Sequence, residues 1–207
     1  GIDRRAGTPC GSGRCRGGAG AAGRAAKPDV CSNRAFVGVV LDETQYVLVQ
    51  LRVLAVGKIK EAYLREGIEE YLKRLRTYAR VEVVPVREEP YRNNFSATQK
   101  EQVIEREADS LLKASSAAGY TIALDSRGQM LSSEALADLL AELQVRGTSV
   151  VQFVIGGSLG LSPRVRQAAD LIWSLGPATF PHALVRLLLL EQIYRAFTII
   201  KGEPYHK

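Results

Sequence analysis

The two histidines of the chain, His182 and His206, lie in its last quarter. Histidine has the ordinary pKa closest to neutrality, so it can accept or release a proton near pH 7. Arg186 follows His182 by one helical turn, in an apolar run where a guanidinium could hold a phosphate or a carboxylate. These side chains are candidates for a catalytic base and an anion-binding group. The alternatives are a histidine that only begins a helix and an arginine on a solvated helix face.

Glycine-containing segments follow three of the predicted strands, at residues 125–128, 156–160 and 176–179. In parallel α/β sheets, ligands bind beyond the carboxyl ends of the strands. Glycine lets the backbone approach a ligand closely, although it is also ordinary turn chemistry at such positions. The segments match neither the Gly-x-Gly-x-x-Gly pattern nor a phosphate loop with its lysine. They predict a mainly backbone-lined pocket for a small cofactor.

The elements that must position these residues alternate between strands and helices. Ser96 with Gln99 predicts a capping box, Ser132 predicts a second helix start, and Ser162-Pro163 predicts a third. The alternation indicates a mostly parallel sheet covered on both faces. The predicted strands are 51–56, 81–86, 120–124, 150–155 and 171–175, and the predicted helices are 60–77, 96–114, 132–145, a short segment after 163, and 183–200.

The composition is that of a globular protein of one or two domains, with 207 residues, 46% of them apolar and 24% charged. The net charge of +6 permits binding to a polyanion without demanding it. Cys10, Cys15 and Cys31 match no zinc-ligand pattern, and the rest of the chain has no cysteine. We therefore expect no metal and a reducing, cytoplasmic location. Charged residues interrupt the apolar run 183–200, so we expect no membrane span.

Residues 1–48 differ from the rest of the chain in composition. The segment up to residue 30 is rich in glycine and arginine and almost free of large apolar side chains, so we expect a disordered extension. The chain does not begin with methionine, which is consistent with a fragment, a processed product, or a reading frame extended upstream of the native start. We favour the third explanation, with a single domain at 49–207.

The motifs, taken together and in order, resemble the RlmH family of SPOUT-class methyltransferases, which act on large-subunit ribosomal RNA. The resemblance covers residues 51–207. It implies an α/β-knot, in which a mostly parallel sheet is flanked by helices and the C-terminal part forms a deep trefoil knot. The motifs that carry it are Ala55-Val56-Gly57-Lys58, Leu124-Asp125-x-x-Gly128, Ile155-Gly156-Gly157-x-x-Gly160-Leu161, Phe180-Pro181-His182, Arg186, Glu191-Gln192-x-Tyr194-Arg195-Ala196 and Tyr205-His206.

The resemblance implies S-adenosylmethionine as the cofactor and a homodimer as the active form. The residue types themselves make His182, His206, Arg186 and Arg195 candidates for a base or a local positive charge. In a dimeric knot the tail can cover the partner's active site, so Tyr205 and His206 are assigned to substrate positioning. Glu191 and Arg195 are also spaced to form an ion pair with each other. The implied cofactor contacts are Leu124, Gly156, Leu175, Gly176, Pro177, Ala178, Thr179 and Phe180.

The reaction that the resemblance implies is methylation of N3 of a pseudouridine in helix 69 of 23S ribosomal RNA, on the assembled ribosome. The activated methyl group of S-adenosylmethionine needs no metal, and the imide proton is weakly acidic, so a modest base or a local positive charge suffices. The alternatives are a SPOUT enzyme that acts on transfer RNA and a non-catalytic ribosome-binding factor. The chain carries no recognisable RNA-binding module.

Overall fold

The computed structural model describes residues 49–205. The predicted extension at 1–48, the three cysteines and His206 lie outside this range. Five strands and five helices alternate along it: β1 (Gln50–Val56), α1 (Ala62–Leu75), β2 (Arg80–Val86), α2 (Ala97–Ala114), β3 (Tyr120–Met130), α3 (Ser133–Val145), β4 (Val150–Ile155), α4 (Pro163–Ala168), β5 (Leu171–Ser174) and α5 (His182–Ile200).

The strands form one sheet in the order β2-β1-β4-β3-β5, and every neighbouring pair is parallel. Side chains of β1 alternate between the faces, because successive residues of a strand point in opposite directions. Leu51 and Val53 join a core formed with α1, α3 and α5, whereas Leu54 and Val56 join a core formed with α2 and α4. The predicted parallel sheet flanked by helices is therefore confirmed, and the trefoil knot stays a prediction.

The predicted helix starts are confirmed in their hydrogen bonding. The Gln99 backbone N–H donates to Ser96 Oγ over 3.2 Å, and the Ser96 N–H donates to Gln99 Oε1 over 2.9 Å. Ser132 and Ser162 accept bonds from backbone N–H groups three residues on. Each serine satisfies a donor that the first turn of a helix leaves unpaired.

The structure corrects the prediction that residues 125–128 form a loop after a strand ending at residue 124. Strand β3 continues to Met130, and both Leu124 and Gln129 are paired with Trp173 of β5. The four residues between them form a bulge in the strand. A Cβ on Gly128 would lie 2.5 Å from the carbonyl oxygen of Ile172, so only glycine lets the bulge lie this close to β5.

One smaller difference concerns the last strand. Strand β5 ends at Ser174, one residue before the predicted end, because Ser174 Oγ accepts a bond from the Gly176 N–H and turns the chain. Gly176 has a φ of 132°, which few other residues adopt. Between residues 49 and 205, every helix is too short or too polar to cross a membrane.

Candidate functional site

A cavity of about 490 Å³ lies beside the bulge of β3 and the carboxyl ends of β4 and β5. Its size falls within the range of about 300–1,000 Å³ that small-molecule pockets occupy. The walls come from the bulge of β3, from the loop between β4 and α4, and from the segment between β5 and α5. The lining residues are 124–127, 155–161, 173–176, 178–180, His182 and Val185.

The structure brings the predicted cofactor-binding residues together at this cavity, with one exception. Pro177 does not line it. The residues that do are Leu124, Gly156, Leu175, Gly176, Ala178, Thr179 and Phe180.

The glycine loop, residues 156–160, forms the wall between β4 and α4. The Gly160 N–H donates to the Gly157 carbonyl over 3.0 Å, which folds the loop back on itself. Gly160 has a φ of 86°, in the left-handed region that favours glycine. A Cβ on Gly156 would lie 2.8 Å from the carbonyl oxygen of Gly160. The loop therefore requires glycine at positions that a side chain would force apart.

A charged group at the cavity, centred on Asp125, was not predicted from the sequence. The Asp125 carboxylate accepts bonds from Arg127 Nε and Nη2 over 2.9 and 3.0 Å, and Arg166 Nη1 lies 3.4 Å from its second oxygen. Arg166 also donates to the Leu161 carbonyl. Burial raises the pKa of Asp125, but the hydrogen bonds and charge of Arg127 outweigh it and hold that pKa below its ordinary value. The carboxylate is therefore ionised at neutral pH and ties the β3 bulge to α4.

The sequence signal for this group is weak. Asp125 and Arg127 stand two residues apart in the segment after Leu124, which the glycine argument singled out for Gly128 only. Arg166 lies 41 residues further along the chain, so nothing local indicates the pair.

His182 is the first residue of α5, and it lines the cavity. Burial lowers its pKa, the positive charge of Arg186 lowers it further, and the carboxylates of Glu88 and Glu61 act in the opposite direction. The imidazole is thus neutral at pH 7 and able to accept a proton. His182 therefore does more than begin a helix, because it lines the cavity.

We expect an NMR titration to find that the His182 imidazole titrates below pH 6.5. Replacing Glu88 with glutamine removes a charge that raises the pKa of His182, so the midpoint should fall further in E88Q. Assignment is simple because the chain has one other histidine, at position 206. A wild-type midpoint at or above 6.5, or an upward shift in E88Q, would contradict this electrostatic description.

Arg186 is only 3% exposed, which rules out the alternative of a solvated helix charge. Its Nη2 donates to the carbonyl of Val56 at the end of β1, and its Nε has no partner within the described residues. Burial lowers the pKa of Arg186, and the nearby Glu88 raises it. Arg186 does not line the cavity. In this structure it joins α5 to the end of β1 and acts on His182 through its charge.

Tyr205 follows α5, packs against it within the same chain and does not line the cavity. Its ring packs edge-on against Tyr194 at 4.9 Å and lies 5.0 Å from the Arg195 guanidinium, and its hydroxyl lies 3.5 Å from Glu191 Oε1. Glu191 and Arg195 form the ion pair that their spacing predicts, at 2.6 Å. The structure therefore does not bring Tyr205 together with His182 within one chain.

The cavity fits S-adenosylmethionine, the cofactor that the resemblance implies. Leu124, Leu175 and Phe180 offer apolar surface to an adenine ring, and the glycine loop exposes backbone groups. Trp173 also lines the cavity, and its buried Nε1 has no hydrogen-bond partner in the described range. Over the same range, no three His, Cys, Asp or Glu side chains cluster as metal ligands do.

Known proteins are similar to this chain over the same residues. A family model described as "Predicted SPOUT methyltransferase" matches residues 49–206. A relative from Carboxydothermus hydrogenoformans is 51% identical over 158 residues, which make up 76% of this chain and 99% of the relative. One from Symbiobacterium thermophilum is 52% identical over 160 residues, 76% of this chain and 99% of the relative. Both are named "Ribosomal RNA large subunit methyltransferase H".

Solved structures are similar at a lower level. A tRNA (m1G37) methyltransferase from Aquifex aeolicus has a TM-score of 0.47 and 16% identity, over 77% of this chain and 75% of that chain. A putative methyltransferase from Legionella pneumophila, solved with bound SAM, has a TM-score of 0.40 and 11% identity, over 72% and 66%. The assignment rests instead on the family model and on the relatives about half identical in sequence. The chain belongs to the SPOUT methyltransferase family, RlmH branch, whose methyl donor is S-adenosylmethionine.

Proposed function

We propose that this chain methylates N3 of a pseudouridine in helix 69 of large-subunit ribosomal RNA, on the assembled ribosome and as a homodimer. The substrate class rests on sequence identity to relatives named ribosomal RNA methyltransferases. They are 51% and 52% identical to this chain over 99% of their length. The cavity beside the glycine loop supports a cofactor-dependent transfer. The choice of base and atom follows from the family resemblance.

The residues of the cavity bind and orient the cofactor. When bound, S-adenosylmethionine supplies a methyl group on a sulfonium, which a nitrogen nucleophile can attack. The apolar side chains of Leu124, Leu175 and Phe180 would hold its adenine, and the backbone of the glycine loop would hold its polar edges. Holding two reactants in the correct geometry is the larger part of catalysis for an already activated methyl group.

His182 is the group of the cavity best suited to accept the imide proton. Its lowered pKa keeps an imidazole nitrogen unprotonated at neutral pH. A positioned base contributes about 100- to 10,000-fold to a rate. Arg186, buried behind it, keeps the pKa of His182 low through its charge and fixes the end of β1, so we assign it a positioning role.

The tail, Tyr205 and His206, is assigned to substrate positioning in the partner's site. Tyr205 lies beside Glu191, nine residues after His182 on α5, which corresponds to about 13 Å along a helix. This distance from the cavity of its own chain supports a role in a second copy.

Methyl transfer to three substrates tests the proposal. Purified protein is incubated with labelled S-adenosylmethionine and with 70S ribosomes, free 23S RNA or bulk transfer RNA, and the modified nucleosides are analysed by mass spectrometry. We expect N3-methylpseudouridine from ribosomes and little product from the other two. Preference for transfer RNA would favour the second SPOUT function. Cofactor binding without transfer to any of the three would favour a non-catalytic factor.

A further inference from the structure

Glu107 of α2 is a buried carboxyl group for which the proposed chemistry has no use. It is 4% exposed and lies on the face of α2 that packs against the sheet. Its Oε1 accepts a bond from the backbone N–H of Glu89 over 3.2 Å. Its Oε2 has no hydrogen-bond partner within residues 49–205. A buried polar atom without a partner is costly, so its retention calls for a reason.

The Glu107 carboxyl group lies between two loops. Glu89 belongs to the loop that joins β2 to α2, residues 87–96. On the other side lies Gly157 of the glycine loop, where a Cβ would be 2.7 Å from Glu107 Oε2 and 3.1 Å from Oε1. Gly157 lines the cofactor cavity, so the carboxyl supports the cavity wall from behind.

The first residues of the loop at 87–96 lie near the His182 side of the site. A Cβ on Gly57 would lie 3.0 Å from Glu88 Oε2, and the charge of Glu88 acts on both His182 and Arg186. This loop therefore borders the proposed proton acceptor, whereas the glycine loop borders the cofactor. Glu107 contacts both loops.

The surroundings of Glu107 favour a neutral carboxyl group. Its pKa is raised to about 7: burial is the largest cause, the Glu89 N–H acts in the opposite direction, and the charges of Glu88 and Glu89 raise it further. The basic neighbours are engaged elsewhere: Arg87 and Arg106 pair with Glu89, and Arg164 pairs with Glu105 and Asp109. Val56 and Gly157, which lie on the remaining side, carry no charge.

We propose that Glu107 is a positioning residue that ties the loop at 87–96 to the glycine loop and so holds the cofactor side and the proton-accepting side of the site in register. This role rests on the proposed methyl transfer for its purpose. The coupling itself is a property of the protein without RNA. This coupling can be measured without any methyl transfer taking place.

The coupling of the two loops by Glu107 can be measured by amide hydrogen exchange and by cofactor affinity at pH 6, where the Glu107 carboxyl group is mostly neutral. In Glu107→Ala we expect faster exchange in both segments, 87–96 and 156–160, and about tenfold weaker binding of S-adenosylmethionine by calorimetry. Glu107→Gln keeps an acceptor for the Glu89 N–H and should restore both measurements. Leu111→Ala, which empties a buried position one turn along the same helix, is the control for lost packing alone.

The pH dependence separates a titrating tie from a packing role. The pKa of Glu107 is raised from 4.5 to about 7 by folding, so its contribution to stability is present at low pH and lost as pH rises through 7. Between pH 6 and 8, wild-type protein should lose exchange protection in the two segments relative to Glu107→Gln measured at the same pH. Equal protection of wild type and Glu107→Gln throughout that range would refute the proposal.

A second result would also overturn it. If Glu107→Ala changes exchange and affinity no more than Leu111→Ala does, Glu107 only fills space. Because these measurements contain no RNA, they are independent of whether ribosomal RNA is the substrate. If Glu107→Ala fails to fold, the pH comparison between wild type and Glu107→Gln decides the question alone.

Discussion

Replacing Gly156 with valine should weaken S-adenosylmethionine binding by about 10- to 100-fold, because overpacking a filled position costs about 1–3 kcal/mol and 1.4 kcal/mol is a factor of ten in affinity. The cause is local and steric. A Cβ at this position would lie 2.8 Å from the Gly160 carbonyl oxygen and 3.0 Å from Leu161 Cδ2. The first of these contacts is with backbone, which cannot rotate away as a side chain can. The glycine loop must therefore move, and with it one wall of the cavity.

Calorimetry with S-adenosylmethionine checks this expectation, and circular dichroism checks that Gly156→Val remains folded. Gly147→Ala is the control for a glycine substitution outside the cavity, because Gly147 has open space around its Cβ position and lies in the turn between α3 and β4, with a positive φ of 75°. The control should lose about 1–2 kcal/mol of stability from backbone strain and bind the cofactor as wild type does. Wild-type affinity in Gly156→Val would place the cofactor elsewhere.

The elements of the fold were predictable because their signals are local. The capping box at Ser96 and Gln99 and the caps at Ser132 and Ser162 lie within four residues of the helix starts that they determine. A hydrophobic period and a cap need no information from distant segments. The one substantial error, at residues 125–128, arose where a distant strand decides the outcome. Gly128 was interpreted as a loop glycine, whereas the approach of Ile172 in β5 is what requires it.

Of the candidate site, the sequence predicted only the parts of the cavity wall that contain glycine. Glycines after three strands indicated a backbone-lined cavity, and the structure places a cavity there. The charged and buried groups were not predictable, because their partners are far away in sequence. Asp125 of β3 contacts Arg166 of α4, and Glu107 of α2 contacts Gly157 of the glycine loop. These contacts form only because the fold brings these elements together near the carboxyl end of β4. The apolar flanks of Arg186 indicated burial, but its partner Val56 lies 130 residues earlier.

The role of the tail depends on which copy of the chain it serves, and a heterodimer can decide this. Gly156→Val removes the cofactor from one subunit, and His206→Ala removes the tail histidine from the other. If the tail serves the partner, the His206→Ala subunit keeps its cofactor and receives an intact tail from the Gly156→Val subunit. One of two sites is then complete, so the purified heterodimer should have about half of wild-type turnover on ribosomes. Each variant alone should be nearly inactive.

If the tail instead serves its own chain, neither site of that heterodimer is complete and turnover stays near background. The reciprocal heterodimer, wild type paired with a subunit carrying both substitutions, reverses the two expectations. A tail that serves the partner leaves it inactive, since the one subunit with cofactor receives the altered tail. A tail that serves its own chain leaves it about half active. The position of Tyr205, beside Glu191 and about 13 Å along α5 from His182, favours the first outcome.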